Sequence, residues 1–63
     1  MYFVILANAF DKSIECLGVH CTKGLAEAQA RHEQVRVKNN SEWVKVIKLK
    51  EYRRLRANGL VTA

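Results

Sequence analysis

The chain has no proline and only three glycines among its 63 residues, and no tract of repeated composition. With no Pro-rich or Gly/Ser-rich stretch there is no linker to separate two units. A length of this order is about one small domain. Two cysteines, Cys16 and Cys21, are too few for the dense disulfide framework of small secreted domains. No hydrophobic run approaches the roughly 20 residues of a membrane-spanning helix. The first apolar run, Tyr2 to Phe10, carries no charge and is about half that length, and no Lys or Arg precedes it to make the basic end of a signal peptide. A buried strand and a cytoplasmic protein are therefore expected.

What is present is the composition of a folded protein, 49% hydrophobic and 27% charged, which argues against disorder except at the ends. A domain this small buries only about 60% of the surface its unfolded chain exposes, so its core supplies on the order of 3–5 kcal/mol. A twin subunit or a partner would add to that.

The net charge of +5 is unevenly placed. Residues 1–30 carry Lys12 and Lys23 against Asp11, Glu15 and Glu27, whereas residues 31–63 carry nine basic residues against Glu33, Glu42 and Glu51. All of the excess lies in the second half, which points to an acidic partner met there.

The apolar pattern predicts an α+β domain spanning 1–63. Tyr2 to Ala7, within an expected strand over 2–8, is rich in aromatic and β-branched residues and apolar at both parities, the signature of a strand covered on both faces. The polar cluster Asn8 to Ser13 closes a hairpin, and a second strand follows over 14–21. In it Leu17, Val19 and Cys21 share one face, and Ile14, Cys16, Gly18 and His20 the other. Gly18 weakens this strand and marks a place for a bulge.

Thr22 is suited to cap a helix over 23–38, in which Leu25, Ala28, His32 and Val35 form one stripe expected to face the sheet. Asn39, Asn40 and Ser41 end it. A third strand is expected over 42–50, a short helix over 51–58 stopped by Asn58 and Gly59, and then a loose tail. The simplest arrangement is a three-stranded antiparallel sheet of ββαβ type with one helix on one face.

The stretch from Gly18 to Thr22, leading into an alanine-spaced helix, resembles the β-to-α junction of small sheet domains such as the peptidoglycan-binding SPOR-type repeat. The order of elements differs, and no binding residues carry across. The overall size and layout resemble accessory proteins of bacteriophages and mobile elements, which implies a protein that binds and inhibits or redirects a host protein.

The strongest candidate site is the basic run Lys45, Lys48, Lys50, Arg53, Arg54 and Arg56, with Trp43 and Tyr52 among the charges. Such cations displace counterions from phosphates, and such rings stack on bases. The competing reading is an edge strand whose lysines prevent sheet-to-sheet aggregation, followed by a helix with a basic solvated side. The RRM and KH signatures and adjacent helix-turn-helix helices are missing, so contact with the nucleic-acid backbone, or with an acidic protein surface, is expected rather than sequence readout.

Cys16, His20, Cys21 and His32 are zinc-ligand types, but on a regular strand Cys16 and His20 point away from Cys21, so no metal or other cofactor is expected. Cys21 with His32, or Cys16 with His20, offers a nucleophile and a base without a visible oxyanion site, and no enzyme is expected. One sheet face remains to be covered, since one helix covers only one. The C-terminal segment through Tyr52, Leu55, Leu60 and Val61, a homodimer, or a docked partner would each serve.

Overall fold

In the computed structural model, which describes residues 1–10, 12–37 and 41–61, the chain runs β1 (Tyr2–Asn8), β2 (Ser13–His20), α1 (Lys23–Arg36), β3 (Glu42–Lys48) and α2 (Leu49–Ala57). The strands form one antiparallel sheet in the order β2-β1-β3. The most apolar strand therefore sits between the other two, as its lack of parity requires. The expected helix end at Lys38, the Asn39 and Asn40 turn, Asp11 in the first loop and the last two tail residues lie outside the described residues.

Local chemistry fixes the junctions. The Asn8 side-chain oxygen accepts from the Phe10 amide at 2.8 Å, an Asx turn that reverses the chain after β1. The Ala9 amide donates to the Ser41 carbonyl at 2.7 Å, tying this loop to the start of β3. Thr22 Oγ1 accepts from the Leu25 amide and caps α1. At the end of α2, Gly59 takes φ +72°, the Gly59 amide donates to the Arg56 carbonyl and the Leu60 amide to the Leu55 carbonyl. This is a Schellman closure, for which glycine carries no steric cost. It turns the tail back so that Val61 bridges Ile14 in parallel.

The sheet is covered on both faces. On one, Phe3, Ile5 and Ile47 form a buried cluster, with Ile14, Cys16, Leu49, Tyr52 and Leu55 packed against it. α2 is thus the second cover, reached by the C-terminal segment folding back. Its inward residues are Leu49, Tyr52 and Leu55, and the Tyr52 ring lies parallel to that of Phe3 with centroids 4.0 Å apart. For this to happen β3 ends at Lys48 and the helix begins at Leu49, two residues earlier than the sequence pattern indicates. Leu49 is a helix residue because its side chain is needed by the cluster.

On the other face lies α1, where Val4 and Ala26 are both 0% exposed. The phase of α1 differs from the expected stripe. Leu25 is 58% and Val35 83% exposed, with Ala28 and His32 also at the surface, while Ala26, Gln29, Ala30 and Glu33 turn inward. Two glutamines account for this. Gln29 Nε2 donates to the Leu17 carbonyl at 3.2 Å and its Oε1 meets His20 Nε2, while Gln34 Oε1 accepts from the Val44 amide at 2.9 Å. A small residue at 26 lets the helix come close enough for these bonds to form.

β2 also departs from simple alternation. Val4 faces Gly18 but Ile5 faces Cys16, so Leu17 is an extra residue in a β-bulge. Ile14, Cys16 and Val19 consequently line up opposite Ala7, Ile5 and Phe3, whereas Leu17 borders a hollow on the α1 side. Cys16 and His20, expected on one face, lie on opposite ones. A Cβ at Gly18 would collide with the Gln29 side-chain amide, so the bulge is also where α1 is anchored.

Two stability measurements follow. Tyr52→Ala should lose about 2–3 kcal/mol in urea unfolding, below the full range for a buried aromatic because the ring is half-buried. Tyr52→Phe should stay close to wild type; equal losses for both would show that the stack is not what holds α2. Gly18→Ala and Gln29→Ala should each cost about 1 kcal/mol, and the double variant well under their sum, because both remove the same Gln29 bonds. Full additivity would contradict a shared contact.

Candidate functional site: a cationic surface on the third strand and second helix

β3 and α2 carry the residues singled out by the basic run, and their periodicities decide which way each one faces. With Leu49, Tyr52 and Leu55 committed to the core, the helical repeat turns Lys50 and Arg54 to solvent, sets Arg53 on a flank beside Leu49, and brings Arg56, in the last turn, to the side of Leu49 and Tyr52. All four are exposed, as are Lys45 and Lys48 on β3. The ion pairs among the described residues, Lys23 to Glu27 at 3.9 Å and Arg36 to Glu33 at 3.8 Å, both lie on α1. None of the six cations of β3 and α2 is paired among the described residues.

α2 tolerates this charge for a local reason. Glu51 lies in its first turn and Arg54 and Arg56 in its last, an arrangement that favours the helix dipole at both ends.

The structure divides the candidate residues into two places. Lys48, Lys50 and Arg53 converge on one open groove of about 490 Å³, completed by Met1, Tyr2 and Leu49. Among the described residues no carboxylate lines it. Trp43 and Lys45 stand elsewhere, beside a hollow of about 170 Å³ that also holds Glu51, Ile14 and Leu55. An adjoining apolar hollow of about 250 Å³ is lined by Trp43, Ala7, Ile14 and Leu60. Trp43 is 45% exposed. Arg54 and Arg56 project from α2 outside these hollows, and Tyr52 is stacked on Phe3 with its ring committed to the fold.

Tyr2 is the residue that the sequence pattern did not single out. It stands opposite Lys48 in the β1–β3 register, and the Leu49 amide donates to the Met1 carbonyl at 3.2 Å, which closes the groove at that end. Only the strand pairing brings residue 2 to residues 48–53. A hydrophobic strand residue gives no sign of this from its neighbours in sequence.

The other reactive side chains are dispersed. Cys16 is half-buried on the α2 side, Cys21 is exposed and both are free thiols. His20 meets Gln29 on the α1 side, and His32 is exposed on α1. Among the described residues no three His, Cys, Asp or Glu side chains are placed to share a metal ion. Among these residues, too, no helix is long and apolar enough to cross a membrane.

No protein-family model, curated protein or solved structure matches the chain. The surface itself therefore carries the functional argument.

If the cations are held for binding and not for folding, removing them should leave the fold intact. The double variant Lys50→Gln with Arg53→Gln should unfold within about 0.5 kcal/mol of wild type in urea, as surface substitutions do. A loss several times larger would mean that these side chains support α2.

Proposed function

We propose that the chain is a non-catalytic binding protein whose β3 and α2 surface holds a polyanion, the phosphate backbone of nucleic acid. The observation that carries this reading is the gathering of Lys48, Lys50 and Arg53 around a groove without a carboxylate, with Lys45, Arg54 and Arg56 exposed on the same two elements. Unpaired cations so placed repel one another, and a polyanion relieves that repulsion while releasing its own counterions. The loss of Tyr52 to the core leaves few rings for base contact, which favours the backbone as the principal ligand.

A second reading has its own support. Trp43 and Leu60 stand half-exposed beside the apolar hollow at Ala7 and Ile14, with Lys45 close by. Exposed Trp is a favoured anchor of protein interfaces. In that reading the chain is an accessory protein of a phage or mobile element that binds and inhibits or redirects a host protein through an acidic surface. Recovery of one protein from a lysate after nuclease treatment, lost in Trp43→Ala, would favour it over the first.

The nucleic-acid reading makes a quantitative demand. With roughly four to six phosphate contacts, the logarithm of the binding constant should fall against the logarithm of salt with a slope of about −3 to −5. Replacing Arg53 and Arg54 together by Glu should abolish binding at moderate salt. Affinity that hardly changes between low and moderate salt would refute the proposal.

A further inference from the structure

Resting on that reading, we infer that the groove of Tyr2, Lys48, Lys50 and Arg53 is a site for single-stranded nucleic acid, with one backbone phosphate among the three cations and the neighbouring base against the Tyr2 ring.

Three features of the groove favour a strand over a duplex. First, it is concave, and its charged lining among the described residues is cationic, Lys48, Lys50 and Arg53, with no carboxylate. On its far side Tyr2 and Lys48 also border a hollow containing Lys23, Glu27 and Glu51, whose two carboxylates disfavour an anion there. The charge pattern thus assigns the phosphate to one side of Tyr2. Second, Tyr2 is an aromatic ring within the cationic lining itself, whereas Trp43 lines the hollows near Ile14 and Tyr52 is stacked on Phe3. A cationic groove with a ring beside the phosphate path is how sequence-tolerant single-strand binders work: the charges follow the backbone and the ring accepts any base face. In a duplex the bases are already stacked on each other, and only the cations would contribute. Third, Leu49 and Met1 supply the apolar wall that a base edge, but not a phosphate, would meet.

The geometry also limits the footprint. With one ring in the groove, a single stacked base is expected, and the remaining affinity is electrostatic. Lys45 and Arg56 lie outside the groove and contribute only through the general field.

The test compares fluorescein-labelled oligodeoxythymidylate of about 12 nucleotides, within the usual span of single-strand sites, with a blunt duplex of the same length, by anisotropy at low salt. The full chain should bind the single strand more tightly. Lys48→Gln with Arg53→Gln should weaken it at least tenfold, on the order of two lost phosphate contacts, while the equally charged control Lys45→Gln with Arg56→Gln changes it less than about threefold. Tyr2→Leu, which keeps an apolar side chain in the strand, should weaken single-strand binding by at least about fivefold. It should leave duplex binding unchanged, and Tyr2→Phe should retain wild-type affinity for both. A thermal melt of each variant confirms that it is folded. Equal losses for the two charge pairs, or a duplex bound more tightly than the strand with Tyr2→Leu harmless, would overturn the groove while leaving the polyanion reading standing. Failure of the wild-type chain to bind either nucleic acid at low salt would overturn both.

Discussion

The arrangement depends on one constraint, that β1 is apolar on both faces and must be covered on both. A strand of this kind is stable only at the centre of a sheet with something packed above and below. The second cover comes from the C-terminal segment, whose Leu49, Tyr52 and Leu55 pack on Phe3, Ile5 and Ile47. The Tyr52 ring on Phe3 is the contact that fastens it. Once Leu49, Tyr52 and Leu55 are directed inward, the helical repeat turns Lys50 and Arg54 outward and leaves Arg53 on the flank. The cationic surface is thus a consequence of how the core is closed, with β1 determining the face that α2 shows to solvent.

The same constraint explains which features were legible in the sequence. The two-sided apolarity of residues 2–8, the polar loop after them, the Thr22 cap and the Asn58 and Gly59 stop are local signals, and each element they predict is present. The alternation of β2 was not legible, because a bulge at Leu17 shifts every residue beyond it to the other face and is specified by the register with β1. Gly18 marked the place without fixing the shift. The phase of α1 was hidden for a different reason. Its large apolar residues, Leu25 and Val35, point outward, and its position is set by the small Ala26 and by Gln29 and Gln34 bonded to the sheet, a polar attachment that a hydrophobic stripe cannot reveal.

The candidate site was legible in part on the same grounds. Charge is read directly from sequence, and exposure of Lys48, Lys50 and Arg54 follows from their alternation with Ile47, Leu49, Tyr52 and Leu55, whereas Lys45 shares a strand face with Trp43 and Ile47 and Arg56 a helix side with Leu49 and Tyr52, so that their exposure is seen only in the structure. Sequence spacing could not separate Tyr52, which the core needs, from Tyr2, which the groove contains. The two aromatics differ only in their tertiary partners, Phe3 for one and Lys48 across the strand pair for the other.

The two faces of the sheet differ in how their helices are held, and this bears on which of them suits an anionic partner. α1 carries internal ion pairs at Glu27 and Glu33 and hydrogen bonds to the sheet through its glutamines, so its charges are largely balanced where they stand. α2 is held by apolar packing and a Schellman closure, neither of which involves its cations. Cations that take no part in holding their own helix can be neutralised by a ligand without disturbing the fold, and the like charges around them then weigh less on its stability. An anion bound at α2 would in this way add to the stability of the domain. An anion bound at α1 would have to compete with the carboxylates already paired there.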